Sequence, residues 1–353
     1  MSSTQRAAYL AGPHNLQLKE VEIPRVSGES VLVKLKATGI CGSDIECYLG
    51  HSKEGRYDIA PYVPGHEWAG EVVDMGEDVL SLKRGDKVTG ECILPCGKCY
   101  SCKSGLPPSA CENMGKVGFM PNNPGGMEQY LALEERFLHK LPEEMTYEEG
   151  ALVEPFSVSY FAIWGEGGYV DASDDVVIFG AGPIGLLALV VAKTAGAKGI
   201  VVEPIQSKRE WAKKLGADEV IDSKTANIKE SVFDLTSGRG STLVVEASGN
   251  DEAIAQCFDV VAGSGRIRLI GHSVGRKVPV EIGLTNWKGL FIHGQAGAPW
   301  FFPRTIKFMQ RAKQRIDYSR IITHRFNLDD IQKAFDLATR HKGQFVKIML
   351  IID

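Results

Sequence analysis

The 353-residue chain is 44% apolar and 24% charged, with a net charge of −4. That balance gives no electrostatic reason to expect nucleic acid or an anionic membrane as a partner, and the length suggests two domains with a substantial core. The opening MSSTQRAAYLAG has one basic residue and no apolar run, so no secretory signal is expected and a reducing, cytoplasmic setting follows.

Residues up to about 155 read as β-rich, with short apolar runs such as SVLVKLKATGI, EWAGEVVDMG and DKVTGECIL between Gly, Pro and Asp turn signals. Between them lie Gly39-Ile40-Cys41-Gly42-Ser43-Asp44 and Gly65-His66-Glu67. Cysteine, histidine and carboxylate are all zinc ligands, although a lone Cys or His is more often packed than ligating. Next come Cys96, Cys99, Cys102 and Cys111, half of the eight cysteines within 16 residues. Two-residue gaps let a tight turn bring successive thiolates to one side, and a longer arm closes the fourth corner of a tetrahedron. Lys98 and Lys103 stand beside them to offset negative charge. Disulfides or an iron–sulfur cluster are the alternatives, and reducing conditions favour metal.

From about Asp174 the texture changes. The stretch Val176–Ala192 holds 17 residues without a charge, short for a bilayer span of about 20 and broken by Gly180, Gly182, Pro183 and Gly185. A strand, a tight turn and a buried helix explain it, and no membrane span is expected. GIVVE, SKREWAKKLGA, DEVID, TLVVEAS, GRIRLIG and LFIHGQA continue an alternation of strands and helices that implies a parallel, doubly wound sheet. A helix around WFFPRTIKFMQRA, then THRF, the helix NLDDIQKAFDLATR and the strand QFVKIMLII close the chain.

Gly180-Ala181-Gly182-Pro183-Ile184-Gly185 is a G-x-G-x-x-G that follows a strand and opens a helix, the context in which it marks a dinucleotide turn. The glycines permit the turn, the approach of a pyrophosphate and close helix packing, and the helix N-terminus faces the phosphates. Glu203 ends the next strand, 18 residues after Gly185, where a carboxylate accepts from the adenosine ribose and repels a 2′-phosphate. That favours NAD over NADP, whereas the nearby Lys208 and Arg209 could receive a phosphate.

Taken together, GICGSD, VPGHEWAGEVVDMG, GDKVTGE, PCGKCYSCKSG with its later Cys, LVEPFSVSYFA, VVIFGAGPIGLLA and KIMLIID resemble the zinc-containing medium-chain dehydrogenase/reductase family of alcohol, sorbitol and threonine dehydrogenases. The resemblance implies an α/β protein in which a GroES-like β-rich catalytic domain (1–156 and 297–353) carries a structural zinc lobe. A Rossmann NAD-binding domain (157–296) is inserted in it, with a cleft between the two and assembly as a dimer or homotetramer. It implies two Zn²⁺ per chain, one at Cys96, Cys99, Cys102 and Cys111 and a catalytic one at Cys41 and His66. The cofactor-binding residues it implies are Gly180, Gly182, Pro183, Ile184, Gly185, Glu203 and Lys208. The third catalytic ligand is Glu154, in a Val-Glu-Pro where alcohol dehydrogenases carry a second cysteine, or Glu67. One carboxylate balances the zinc charge and two leave −1, so one is expected on the metal at a time. Asp44 is expected to orient His66. Ser43 takes the substrate proton and the nicotinamide accepts hydride.

Many relatives have a histidine two residues beyond Asp44; this chain has Glu46, and His51 is displaced. A pocket wall of Glu46, Tyr48, Tyr57, Phe119 and Trp300 suits a polyhydroxy compound, so a polyol or sugar-like alcohol is the expected substrate. GLFIHG and IITHRFNLDDIQKAFD look like threonine dehydrogenase, which makes an amino alcohol the runner-up, and HEWAG also fits a cyclitol or aminocyclitol. A non-catalytic NAD-sensing metal protein is the reading outside enzymology. His14, His139, His272, His293, His324 and His341 lack ligand spacing and read as packing or surface residues.

Overall fold

A computed structural model describes residues 3–51, 61–167, 169–271 and 275–353; Tyr57 and His272 lie outside these. The chain forms two compact units. The first comprises Met1–Glu154, Pro299–Ile306 and Ile322–Asp353, and the second Pro155–Ala298 and Lys307–Ile321.

The first unit is built on a seven-stranded sheet in which Ser30–Gly39 is central. This strand pairs antiparallel with Glu67–Met75, Tyr130–Glu134 and Lys347–Ile351. Its Val31, Val33 and Leu35 alternate along the strand and are fully buried, so they line one face, the one turned to the core. The helix Ile331–Arg340 buries Ile331, Ala334, Phe335 and Ala338, spaced i, i+3, i+4 and i+7 along one face. That stripe joins Trp68, Val72, Val88, Leu131, Ile348 and Leu350 in one core.

The second unit holds a six-stranded sheet, every neighbouring pair parallel. Its strands lie in the order Glu219–Ile221, Lys198–Val202, Asp175–Phe179, Ser241–Glu246, Val261–Leu269, Phe291–Gly294. Numbered along the chain this is 3-2-1-4-5-6, the doubly wound arrangement that opens a ligand crevice beyond the ends of its first and fourth strands. The uncharged stretch is the strand Asp175–Phe179 followed by the 12-residue helix Pro183–Thr194. Among the described residues no helix is long and apolar enough to cross a membrane.

The expected return at 297–353 differs from what is observed over Lys307–Ile321, which belongs to the second unit. Aromatic packing is the cause: Phe308 lies 5.8 Å from Phe156 and 5.2 Å from Tyr160, and Tyr318 meets Phe156 edge-on at 5.0 Å. The chain changes units inside the helix Phe302–Lys313.

Candidate metal centres and dinucleotide turn

Strand register assembles the first centre. Gly39 pairs with Glu67 on one side and with Met349 on the other. Cys41 follows the end of its strand, His66 precedes the start of its own, and Lys347 opens the third. One ligand atom each from Cys41, His66 and Glu67 lie within 4.8 Å of one another. Lys347 Nζ forms an ion pair with Glu67 Oε2 and donates to the Ile40 carbonyl at 3.1 Å. A Cβ on Gly39 would strike Glu67 Oε2 and sit 3.0 Å from Lys347 Cε, so only glycine leaves room for the pair.

Cys41 caps the helix Gly42–Tyr48, and its backbone N–H donates to Asp44 Oδ2 at 2.9 Å. The other Asp44 oxygen stands 3.7 Å from His66 Nδ1, beyond hydrogen-bond range, and both atoms are buried without a hydrogen-bond partner. The expected Asp44–His66 contact is therefore a juxtaposition here. Burial, then the Glu67 carboxylate, push the Cys41 thiol up, outweighing Lys347. Burial and Glu67 likewise raise Glu154 to about 7, against the pull of His66 and Lys347. For Lys347 burial acts downward, but Glu67 and Cys41 prevail and hold it up.

Four acidic groups (Cys41, Asp44, Glu67, Glu154) thus share a buried site with one lysine. Such a donor set, with an orphaned imidazole nitrogen, fits a divalent cation, and thiol, imidazole and carboxylate together fit zinc. Glu154 is buried and feels the charges of His66 and Glu67, but stands outside the 4.8 Å group.

The four clustered cysteines also converge, their sulfurs all within 4.8 Å. Cys99 Sγ and Cys111 Sγ are 3.9 Å apart, far beyond a disulfide and close to the roughly 3.8 Å edge of a tetrahedron with 2.3 Å zinc–sulfur bonds. Such an edge suits one ion better than a multi-iron cluster. Backbone N–H groups of Lys98 and Cys99 draw the Cys96 thiol down to about 6, whereas burial and the Cys99 thiol push Cys102 up to about 12. Four sulfurs this close ionise together only around a cation.

In the second unit Gly180 has φ 97°, open to glycine at little cost, and a Cβ on Gly185 would strike the Gly180 carbonyl. Beside Gly182 there is open space, with no atom within 4 Å of a would-be Cβ, and Pro183 begins the helix. An open cradle at a helix N-terminus fits a pyrophosphate. The Ile184 carbonyl accepts from Ser159 Oγ at 2.9 Å. Glu203 is buried and anchors the turn, accepting from the N–H groups of Ala181 at 2.8 Å and Ile205 at 3.0 Å. Arg209 donates to the Glu203 carbonyl at 2.8 Å and pairs with Asp222 at 2.9 Å. Lys208 lies half-buried in the helix Gln206–Lys214. Glu246 braces the neighbouring loop, accepting from Ser248 and Gly249 N–H groups, and Ser248 is what a Cβ on Gly180 would meet.

Among the expected wall residues, Phe119 packs on the His66 ring at 4.8 Å. Ser43 is half-buried in the first turn after Cys41, and Glu46 pairs with the exposed His51 at 3.2 Å. Tyr48 is a correction: it is buried in the core between His14 and Phe335, with Gln332 on its hydroxyl. Two features escaped the sequence reading. Lys347 was signalled only by a lysine in an otherwise apolar strand. His139, read as ordinary, bonds at 2.9 Å to Glu91, which is 1% exposed.

Residues 27–143 match the family described as Alcohol dehydrogenase GroES-like domain, and residues 183–299 match Zinc-binding dehydrogenase. The chain is 30% identical over 349 residues to sorbitol dehydrogenase of Bacillus subtilis (strain 168), covering 98% of this chain and 96% of that protein. It is 31% identical over 350 residues to L-threonine 3-dehydrogenase of Escherichia coli (strain K12), covering 98% of each. The solved structure of an alcohol dehydrogenase from Escherichia coli CFT073, complexed with NADH, aligns with a TM-score of 0.89 at 29% identity, across 99% of this chain and 100% of that one. With both halves matched and the relatives covered almost end to end, the chain belongs to the zinc-containing medium-chain dehydrogenase/reductase family.

Proposed function

We propose that this protein interconverts a secondary alcohol of a polyol or sugar-like substrate and its ketone, with NAD as the hydride acceptor and zinc held by Cys41, His66 and a carboxylate. The observation that carries the reading is the convergence of thiol, imidazole and Glu67 carboxylate within 4.8 Å, with Glu154 buried beside them. Zinc supplies Lewis acidity toward the substrate hydroxyl, and the nicotinamide supplies hydride acceptance. The chain's own residues do the positioning. Lys347 holds Glu67, Phe119 packs the His66 ring, and Ser43 takes the substrate proton from the first turn of the helix after Cys41.

Glu203 supports NAD over NADP. Its carboxylate anchors the turn and retains lone pairs for a ribose hydroxyl, while a 2′-phosphate there would meet its charge. Arg209 is held by Asp222, and Lys208, on the same helix after the Glu203 strand, is the basic residue assigned to the adenosine end. Glu154 in place of a second cysteine, together with the sorbitol dehydrogenase relative, supports a polyol. The threonine dehydrogenase relative supports an amino alcohol as the second reading.

The test is NADH formation at alkaline pH across open-chain polyols, cyclitols and L-threonine, with NADP as the alternative acceptor, with and without chelator. Polyol turnover with NAD, lost on chelation, is expected. Turnover of threonine alone would replace the polyol reading, and no turnover by zinc-loaded protein would sink the enzyme reading.

The second zinc belongs to the four cysteines and shapes a lobe whose exposed Tyr100 and Leu106 suit a subunit contact in a dimer or tetramer. Free thiols suit a reducing compartment such as the cytoplasm. Cys99→Ala should cut bound zinc from about two per chain to about one. It should also lower Tm by roughly 10 °C, since metal binding here is folding free energy. Metal analysis with thermal melting checks this; two retained zincs and an unchanged Tm would contradict it.

A further inference from the structure

Trp300 combines features that the reaction as described does not use. Its backbone is left-handed, φ 68°, a strained conformation for a bulky residue. It is held there by its N–H, which donates to Glu91 Oε1 at 3.2 Å. Glu91 is 1% exposed, and the same oxygen bonds His139 Nε2 at 2.9 Å. The His139 ring packs on Phe302, two residues beyond Trp300, at 5.4 Å. The indole stacks on Phe137 at 6.2 Å and 16°, and the Arg136 guanidinium lies 4.4 Å over that phenyl ring. Despite this bracing Trp300 remains 44% exposed. The brace adjoins the candidate metal centre: Ala69, two residues after Glu67, pairs with Thr89, two residues before Glu91, so the Glu91 end of one strand lies along the Glu67 end of the next.

A strained backbone persists where its surroundings over-determine it, and such residues gather at functional sites. Here the brace fixes a flat, partly exposed aromatic ring on the residue bonded to Glu91, one strand away from the Glu67 end of the candidate metal centre. Where the hydroxyls of a ring-shaped polyol are equatorial, each face of the chair presents a set of axial C–H groups with partial positive charge, which matches the negative face of the indole. An open-chain polyol must first order its rotors to present the same face.

We propose that Trp300 is a specificity-determining residue, a platform for the C–H face of a ring-shaped polyol, with Glu91 and His139 as its positioning residues. This rests on the polyol reading above and narrows it to ring substrates. The experiment compares kcat and KM of the zinc-loaded wild type, Trp300→Ala, Trp300→Phe and Glu91→Gln on myo-inositol, sorbitol and 2,3-butanediol. Wild type should favour the ring substrate. Trp300→Ala should raise the myo-inositol KM on the order of tenfold and reduce the ratio of myo-inositol to butanediol kcat/KM by a similar factor. Trp300→Phe should recover most of that ratio. Glu91→Gln retains an acceptor for the Trp300 N–H and should keep it as well.

Polyol turnover with an unchanged ratio in Trp300→Ala would overturn the platform alone. An equal loss on all three substrates would assign Trp300 a general structural role and overturn it too. So would a change of oligomeric state on light scattering, which would make the indole a subunit contact. Wild-type inactivity on every polyol would overturn both this inference and the reading beneath it.

Discussion

Cys41→Ser lowers kcat/KM by about 10³-fold or more, removes one zinc per chain and leaves Tm within a few degrees of wild type. The size follows from charge. Zinc acting as a Lewis acid contributes several kcal/mol of charge stabilisation, and each 1.36 kcal/mol is tenfold in rate. Serine keeps the shape of cysteine but does not become an anion at the assay pH, so the site loses a charged donor. Burial and Glu67 already push the Cys41 thiol up, which means that the thiolate forms only with a cation beside it. The fold is spared because Cys41 is half-buried at a helix start, and its backbone N–H bond to Asp44 does not involve the sulfur. Steady-state kinetics, metal analysis and thermal melting on one preparation check the three parts together. Retained activity, or loss of both zincs with unfolding, would contradict the assigned role.

Much of this centre was legible because local chemistry announced it. Cys41 and His66 sit at strand ends marked by glycine, and the four cysteines are close in sequence, so no long-range pairing had to be guessed. The doubly wound sheet was legible for a related reason: apolar strand runs, glycine turns and amphipathic helices alternate, and each unit is local.

What escaped depends on partners distant in the chain. Lys347 donates to a carbonyl 307 positions away, through a register that only the folded sheet defines. His139 meets Glu91 because Thr89 pairs with His139 across two short strands. Tyr48 sits on a seven-residue helix, too short for periodicity to say which face turns inward, and the C-terminal Phe335 decides it. Lys307–Ile321 left the expected domain because Phe308 and Tyr318 found aromatic partners around Phe156.

Lys347→Met destabilises the protein by about 3–5 kcal/mol, roughly 10 °C in Tm, and the double variant Glu67→Gln/Lys347→Met recovers at least half of that loss. Both residues are 1% exposed, so neither side chain finds water when the other is removed. Breaking a buried pair from one side leaves an uncompensated charge, and that is the costly step; removing both charges need not be costly. Here the abandoned Glu67 would face Cys41, Asp44 and Glu154, each of which feels its charge in the intact site. The zinc readout separates this account from simple packing loss. With Lys347 gone, the freed Glu67 oxygen can turn toward the metal, so zinc should leave Lys347→Met more slowly in chelator than it leaves the wild type. The double variant, whose amide carries no charge, should release zinc at least as fast as the wild type. A cavity alone would destabilise the single and the double variant alike and would not reorder the chelation rates. Additive stability losses with equal zinc release would therefore show that the Lys347–Glu67 pair is packing, and that the charge balance at the metal centre is set elsewhere.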